Sequence, residues 1–590
     1  AQYTTELYKK LQAETGQATS VRQNGSLSLA LNEARFEELK RGAAMGRLHG
    51  LEAHVLGPGE IAEIYPALNL DGALGGLLLP GDGQGDPVGI TQALIKGARQ
   101  NGASIFEGVK VTGILSGRGR VTGVATDQGT IQAEYVVNCA GLWGREVGRM
   151  AGVSVPLMAC EHFYIVTEPM PAMTPGLPVL RVPDEHAYYK EDAGKLLLGC
   201  FEPVAKPWGV DGIPEDFAFG QLPEDFEHFE PILERAVKRL PALATTGIHT
   251  FFNGPESFTP DNRYLLGEAP ELRNFYVACG FNSVGIQSAG GAGNVLAQWM
   301  DQGHPPCDLW DDDIARMQPF QSGRDYLVAR VRETLGLLYA VHWPYYQYQT
   351  SRGMRHSPLH HRLAGQGACF GEVAGWERAN WFAAPGEKAE YQYSYQRQNW
   401  FAHAAGEHAA VRNGVGLFDM SSFAKFRVEG PDAPDFMNFI CANDVDVEPG
   451  RVVYTQWLNQ RGGIEADLTV ARLSQTAYLV VSAAASQTRD LAWLRRHLAP
   501  DDRVTITDNT SGSAVLALMG PGTRALLAEV SDADLSNNAF AFATWQEITV
   551  GMAPVRAQRI TYVGELGWEL YIGADFAEHV FDTLLEAGQS

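Results

Sequence analysis

The run Phe275-Tyr-Val-Ala-Cys-Gly280-Phe-Asn-Ser-Val-Gly285-Ile-Gln-Ser-Ala-Gly290 passes from an apolar, strand-like stretch through a polar turn into a helix pattern. Such a unit brings backbone N–H groups and the positive end of a helix to one point. That point suits an anion or an electron-rich ring edge, such as the N1/O2 side of a reduced flavin. Gly280, Asn282, Ser283, Val284, Gly285 and Ile286 are therefore candidate flavin contacts, against a plain packing corner. His162 opens a strand pattern; an imidazole there can assist amine deprotonation or orient a substrate, or be a satisfied structural histidine. Tyr188 and Tyr189 are adjacent on one strand, so their rings point to opposite faces. In Gly463-Ile-Glu-Ala-Asp-Leu-Thr-Val470, Glu465, Asp467 and Thr469 share the face opposite Ile464, Ala466, Leu468 and Val470. On a solvated face Asp467 is a surface carboxylate; in a pocket it can relay a proton. Glu565 sits in the Gly-bracketed turn Gly564-Glu-Leu-Gly567, where a carboxylate can accept two adjacent N–H donors of a ligand or be merely solvated. A substrate carboxylate calls for Arg or Lys, and Arg181 and Arg263 both lie in suitable stretches.

The elements that position these residues follow an α/β pattern over residues 20–150. Asp86-Pro87 predicts a helix start, with Ile90, Ala93, Leu94, Gly97 and Ala98 at helical spacing after it. Short strands are predicted near 109–115, 120–126 and 130–139. The last ends at Ala140-Gly141-Leu-Trp143, where open α/β sheets bind ligands; Ala140, Gly141 and Trp143 join the candidate contacts, and Val111 lies in the first of these strands. Residues 155–230 read as longer antiparallel strands, and Phe229, Ile232, Leu233, Ala236, Val237 and Leu240 mark an amphipathic helix. The α/β pattern resumes at 247–300. The predicted fold class is α/β plus α+β, with an interrupted α/β domain (1–154 and 247–306), an inserted antiparallel-sheet domain (155–246), a connecting module (307–365) and a further α+β domain (366–590). The Asp490-Leu-Ala-Trp-Leu-Arg-Arg-His497 segment is expected to be a solvated helix face.

A net charge of −23 speaks against a general nucleic-acid binder, and no apolar run is long enough to cross a bilayer. The seven cysteines are scattered, with no pair at metal-ligand spacing. No metal site is expected, and reduced thiols in a bacterial cytoplasm, or a mitochondrial matrix, are. No G-x-G-x-x-G loop stands in usable context; Gly290-Gly-Ala-Gly293 has the wrong spacing and comes too late. The expectation is that both ends are cut, that such a loop lies before Ala1, and that this chain alone holds a dinucleotide weakly or not at all.

Several segments together resemble the dimethylglycine/sarcosine dehydrogenase family. They are Pro80-Gly-Asp-Gly83 with Asp86-Pro87, Val137-Asn-Cys-Ala-Gly-Leu-Trp143, Asn253-Gly-Pro-Glu-Ser-Phe-Thr-Pro-Asp261, Leu266-Gly-Glu-Ala-Pro270, Gly280-Phe-Asn-Ser-Val-Gly-Ile286 and Gly371-Glu-Val-Ala-Gly-Trp-Glu-Arg378. Leu417-Phe-Asp-Met-Ser421, Gly462-Gly-Ile-Glu-Ala-Asp-Leu468 and Tyr562-Val-Gly-Glu-Leu-Gly-Trp-Glu569 resemble the folate-binding fold of the glycine-cleavage T-protein. The resemblance implies FAD and tetrahydrofolate as cofactors. It implies oxidative demethylation of an N-methylated glycine, with the one-carbon unit captured as methylene-tetrahydrofolate or released as formaldehyde. Electron-transfer flavoprotein or oxygen would be the electron acceptor, with no nucleic-acid or membrane partner. The resemblance aligns His162 with a histidine over the flavin and selects Tyr188 over Tyr189. It places Val111 against the adenine, Asp467 as the catalytic aspartate of the folate site, Glu565 on the pterin and Tyr454 as a further folate contact. The family's first strand, glycine loop and FAD-attaching histidine are absent from these residues, as is the C-terminal part of the T-protein fold. The alternative is a folate-dependent aminomethyltransferase, or one-carbon binding protein, whose flavin half is inactive.

Overall fold

The computed structural model describes residues 1–589, which divide into two units. The first holds Ala1–Ile314 and Pro319–Tyr346; the second holds Ala315–Gln318 and the chain from Gln347 onward.

The frame of the first unit is a nine-stranded sheet. Its path runs Pro207–Trp208, Met158–Thr167, Lys195–Cys200, Ala187–Asp192, Val179–Val182, Ser26–Ala30, Gly75–Leu79 and His54–Leu56, with Ile248–Phe258 also paired to Met158–Thr167. Strand alternation sorts the side chains. Phe163, Ile165, Leu180, Tyr189, Leu196 and Leu198 pack on one face, against the helix Phe226–Arg239. Met158, Cys160, Phe201 and Phe258 pack on the other, against Tyr326, Leu327, Val331 and Leu335 of the helix Arg324–Leu337. Each such buried side chain contributes about 1.5–3 kcal/mol, so both faces are firmly held. The sheet reaches well beyond the 155–246 segment expected to contain it. Ser26–Ala30 joins it through parallel pairing with Val179–Val182, and Ile248–Phe258 continues it on the far side.

Beside it lies a three-stranded sheet in which Phe275–Cys279 pairs parallel to Val136–Asn138 and antiparallel to Leu265–Glu268. The helix Gly285–Gln302 follows directly. The helix Pro87–Gln100 begins as predicted: the Asp86 carboxylate accepts from the N–H groups of Val88 and Gly89, each at 3.0 Å. Its Ile90 and Ala93 pack on Tyr8 and Leu11 of the helix Gln2–Thr15. Val111–Gly117, Arg120–Thr126 and Gly129–Gln132 form a separate antiparallel sheet.

The second unit has two five-stranded antiparallel sheets. One runs Gly416–Asp419, Ser513–Met519, Gly567–Gly573, Ala553–Gln558, Trp545–Val550; the other runs Val452–Leu458, Ile464–Ser474, Ala477–Ser482, Ala424–Glu429, Thr505–Asp508. The helix Gln487–Arg496 corrects one expectation. Its Asp490 is buried rather than solvated, and accepts from the Ser486 hydroxyl at 2.5 Å. Burial raises that carboxyl above its usual range, against the nearby Arg489. Among the described residues, no helix is long and apolar enough to cross a membrane.

Candidate functional site

In the first unit the candidate residues converge on one face of the large sheet. Antiparallel pairing sets Tyr188 opposite both Arg181 and Gly199, and Gly199 opposite Tyr164. Directly opposed residues share a face, so Arg181, Tyr188 and Tyr164 stand in one row. His162 is two residues along from Tyr164 and shares that face. Tyr189 points the other way into the core, as strand alternation requires.

The ring of Phe201 is the hub of this face. Its centroid is 5.0 Å from that of His162, 6.0 Å from Tyr188 and 4.5 Å from Tyr339. The Tyr188 ring lies directly over Gly199, where a Cβ would come within 2.1 Å of Cζ and 2.2 Å of Oη. Burial pushes the Tyr188 phenol well up, with Tyr339, Cys200, Glu256 and Glu202 adding to it, so the hydroxyl keeps its proton. His162 is 8% exposed, and its Nδ1 stands 3.5 Å from Oε2 of Glu202, which is 1% exposed. Burial alone would pull the imidazole down, but the neighbouring Glu202 carboxylate and the charge of Glu256 outweigh it and raise it above its usual value. Of the two arginines, Arg263 is 3.7 Å from Asp311, whereas Arg181 is exposed in the row with Tyr188 and its charge reaches Tyr339.

The strand-turn-helix unit forms as the sequence predicts, with Gly280, Asn282 and Ser283 all at positive φ (68°, 49° and 66°). A non-glycine residue in that region needs support from outside the turn. Asn282 supplies it: its Oδ1 accepts from the Thr259 N–H at 2.9 Å, and its Nδ2 donates to the Gly280 carbonyl at 2.9 Å. The side chain of Asn282 is thus committed to the fold, and what the turn offers a ligand is backbone. No side chain caps the helix that Val284 and Gly285 begin, and Ile286 is exposed beside its end. Gly141 is at φ 54° with nothing within 4 Å of where a Cβ would sit; Ala140 precedes it, and Trp143, 39% exposed, follows. Val111 is half-buried and pairs with Thr126 in the separate three-stranded sheet.

In the second unit Asp467 lies on the exposed face of Ile464–Ser474, opposite Gln456, whose Nε2 donates to it at 3.3 Å. Tyr454, two residues from Gln456, is exposed, and interaction with the Asp467 carboxylate raises its phenol above the usual value. Tyr562, three residues before Glu565, also acts electrostatically on Tyr454. Glu565 itself is 3.2 Å from Nη1 of Arg412.

Comparison with known proteins assigns both halves. The family described as FAD dependent oxidoreductase matches residues 1–299, just over half of the sequence. The chain belongs to that family. The FAD dependent oxidoreductase central domain matches residues 302–357, and the GCVT N-terminal domain matches 359–590. A 4-methylaminobutanoate oxidase (formaldehyde-forming) of Paenarthrobacter nicotinovorans is 42% identical over 589 residues, all of this chain and 71% of that protein. Mitochondrial sarcosine dehydrogenase of Homo sapiens is 38% identical, over 98% of this chain and 68% of its own. Mitochondrial dimethylglycine dehydrogenase of Rattus norvegicus is 33% identical, over 99% and 69%. These matches bear out the family read from the motifs, with a third N-methylated amino acid added to the two expected.

The residues present fit the ring end of FAD. The uncapped helix, the open space above Gly141 and the buried, unpartnered Nε2 of His162 are features a flavin and its substrate would complete. Three residues of this face were not singled out from the sequence: Phe201, Glu202 and Gly199. The repeated apolar positions of Lys195–Cys200 pointed to a strand, but only the cross-strand register shows what its glycine faces.

Proposed function

We propose that this chain catalyses FAD-dependent oxidative demethylation of an N-methylated amino acid, and that its second unit passes the released one-carbon unit to tetrahydrofolate. The observation that carries the reading is the gathering of His162, Tyr188, Phe201 and Arg181 on one sheet face in a chain of this family. FAD, when bound, supplies the acceptor for the hydride that leaves the carbon next to nitrogen. Arg181 takes the substrate carboxylate in a charge-assisted pair. Tyr188, holding its proton, donates a hydrogen bond, and its ring with those of Phe201 and Tyr339 walls the amine off from water. His162 orients and polarises the substrate amine through Nε2, which is buried and has no hydrogen-bond partner among the described residues, rather than acting as a base. Ala140, Gly141, Trp143 and the backbone of Gly280–Ile286 line the flavin, and Val111 contacts its adenine end. In the second unit Glu565 accepts the pterin N–H pair, Tyr454 flanks it, and Asp467 relays the proton of carbon transfer. The substrate is one of sarcosine, dimethylglycine and 4-methylaminobutanoate, the amino acids named in the relatives.

The test is anaerobic mixing of the FAD-loaded protein with each of the three, followed by flavin absorbance, with and without tetrahydrofolate. Bleaching, with less formaldehyde when folate is present, supports the reading. A protein that binds tetrahydrofolate but is never bleached supports a one-carbon carrier with an inactive flavin half. Reoxidation by oxygen or by an electron-transfer flavoprotein then identifies the acceptor.

A further inference from the structure

Glu202 is a buried carboxylate with no role in the scheme above. It is 1% exposed, and neither of its oxygens has a hydrogen-bond partner of normal geometry. It follows Phe201 at the end of Lys195–Cys200 and stands 3.5 Å from Nδ1 of His162. A carboxylate in such a place is tolerated only if something beside it carries compensating charge. The groups around it are His162 and Cys160 on Met158–Thr167, Cys200 on its own strand, Tyr188 on Ala187–Asp192, Glu256 on Ile248–Phe258 and His186. The thiols and the phenol are held protonated by burial. His186 is pulled down by burial and by Arg235. His162, with Nδ1 3.5 Å from Oε2, is the group the structure sets beside the Glu202 carboxylate to supply a cation, and a second carboxylate, Glu256, pulls His162 the same way; Arg35 and Arg235 act on His186.

We propose that Glu202 is a positioning residue for the demethylation site: from 3.5 Å it holds the Nδ1 side of the His162 ring, favours its imidazolium form and leaves Nε2 directed to the substrate. This rests on the functional reading of His162 given above. The arrangement is the carboxylate-imidazole pairing by which a buried acid sets the orientation and charge of a histidine. Its consequence is directional. With the Glu202 carboxylate in place, His162 holds its proton to higher pH and disfavours an ammonium substrate; with a neutral amide there, His162 gives up its proton more readily and the substrate amine keeps its own to higher pH.

The experiment compares E202Q, E202D and H162N in the FAD-loaded protein. Imidazole resonances are titrated by NMR, with H162N identifying the His162 signal, and kcat is measured at saturating substrate from pH 6 to 10. Expected for E202Q is a loss of about tenfold or more in His162 proton affinity. The acid limb of kcat, which reports the bound amine, should move to higher pH, and E202D should partly restore both. A His162 titration unchanged in E202Q overturns the proposal even if turnover falls, because a packing defect alone would do that. Wild-type turnover in H162N overturns the reading of His162 itself, and the proposal with it. Circular dichroism melts of each variant separate these outcomes from misfolding.

Discussion

Replacing Gly199 by alanine tests the Tyr188 assignment more sharply than removing the hydroxyl. The added Cβ would lie 2.1 Å from Tyr188 Cζ and 2.2 Å from Oη. Non-bonded carbons settle at about 3.5–4.0 Å, so the ring must withdraw by at least about 1.4 Å. Tyr188 cannot move freely, because Phe201 stands 6.0 Å away and its strand is paired on both sides. Overpacking of this kind costs about 1–3 kcal/mol. A displacement of about 1 Å in a group that orients a substrate costs about a hundredfold in rate. G199A should therefore fold, with a midpoint in urea lowered to match that cost, and should show kcat/KM reduced about a hundredfold while still binding FAD. Urea unfolding followed by tryptophan fluorescence and steady-state turnover measure the two. A folded, FAD-loaded G199A with turnover within about twofold of wild type would refute the role given to Tyr188, since an ordinary wall residue could shift that far without consequence.

Other outcomes follow from named contacts. Arg181→Met should raise KM about ten- to hundredfold with little change in kcat, as loss of one charge-assisted pair worth about 1.5–3 kcal/mol; Arg263→Met should leave KM alone. Asp467→Asn should leave flavin reduction intact yet restore formaldehyde release in the presence of tetrahydrofolate, and Glu565→Gln should weaken tetrahydrofolate binding by about tenfold in calorimetry. Lys425 is buried, with Nζ donating to the carbonyls of Ser421 and Phe423 at 2.8 Å, and burial pulls its pKa down to about 7 against Asp419 and Asp508. Unfolded, it keeps its proton to about pH 10.4. The unfolded chain thus binds more protons between these values, and stability rises with pH by up to about 1.4 kcal/mol per unit from this group. The urea stability of wild type relative to Lys425→Met should therefore improve between pH 7 and 9, and a flat difference would show that Lys425 is charged in the folded state.

Local signals were legible where local physics decides them. The apolar run stopping at Gly280, the Asp86 cap and the opposed rings of Tyr188 and Tyr189 all depend on residues a few positions apart, and each appears as read. What escaped depends on partners far along the chain. Ser26–Ala30 reads as one more α/β strand, yet it pairs with residues 179–181 about 150 positions away. Asn282 reads as a ligand contact because it is polar and in a turn, but Thr259 and Gly280 occupy its amide. Asp490 reads as part of a solvated helix face and Glu202 stands out in no sequence pattern, and only the packing of Ser486 and His162 beside them shows their burial.

The place of Ser26–Ala30 between Gly75–Leu79 and Val179–Val182 bears on how the protein is made. A growing chain completes the antiparallel side of this strand early, but its other edge waits for about a hundred further residues, some 5–20 s of translation. Until then a row of unpaired amides and carbonyls flanked by Leu27 and Leu29 is open to any passing strand. Slowed synthesis across residues 80–180, or loss of a holdase that shields nascent edges, should therefore lower the yield of folded flavoprotein long before it affects the finished molecule.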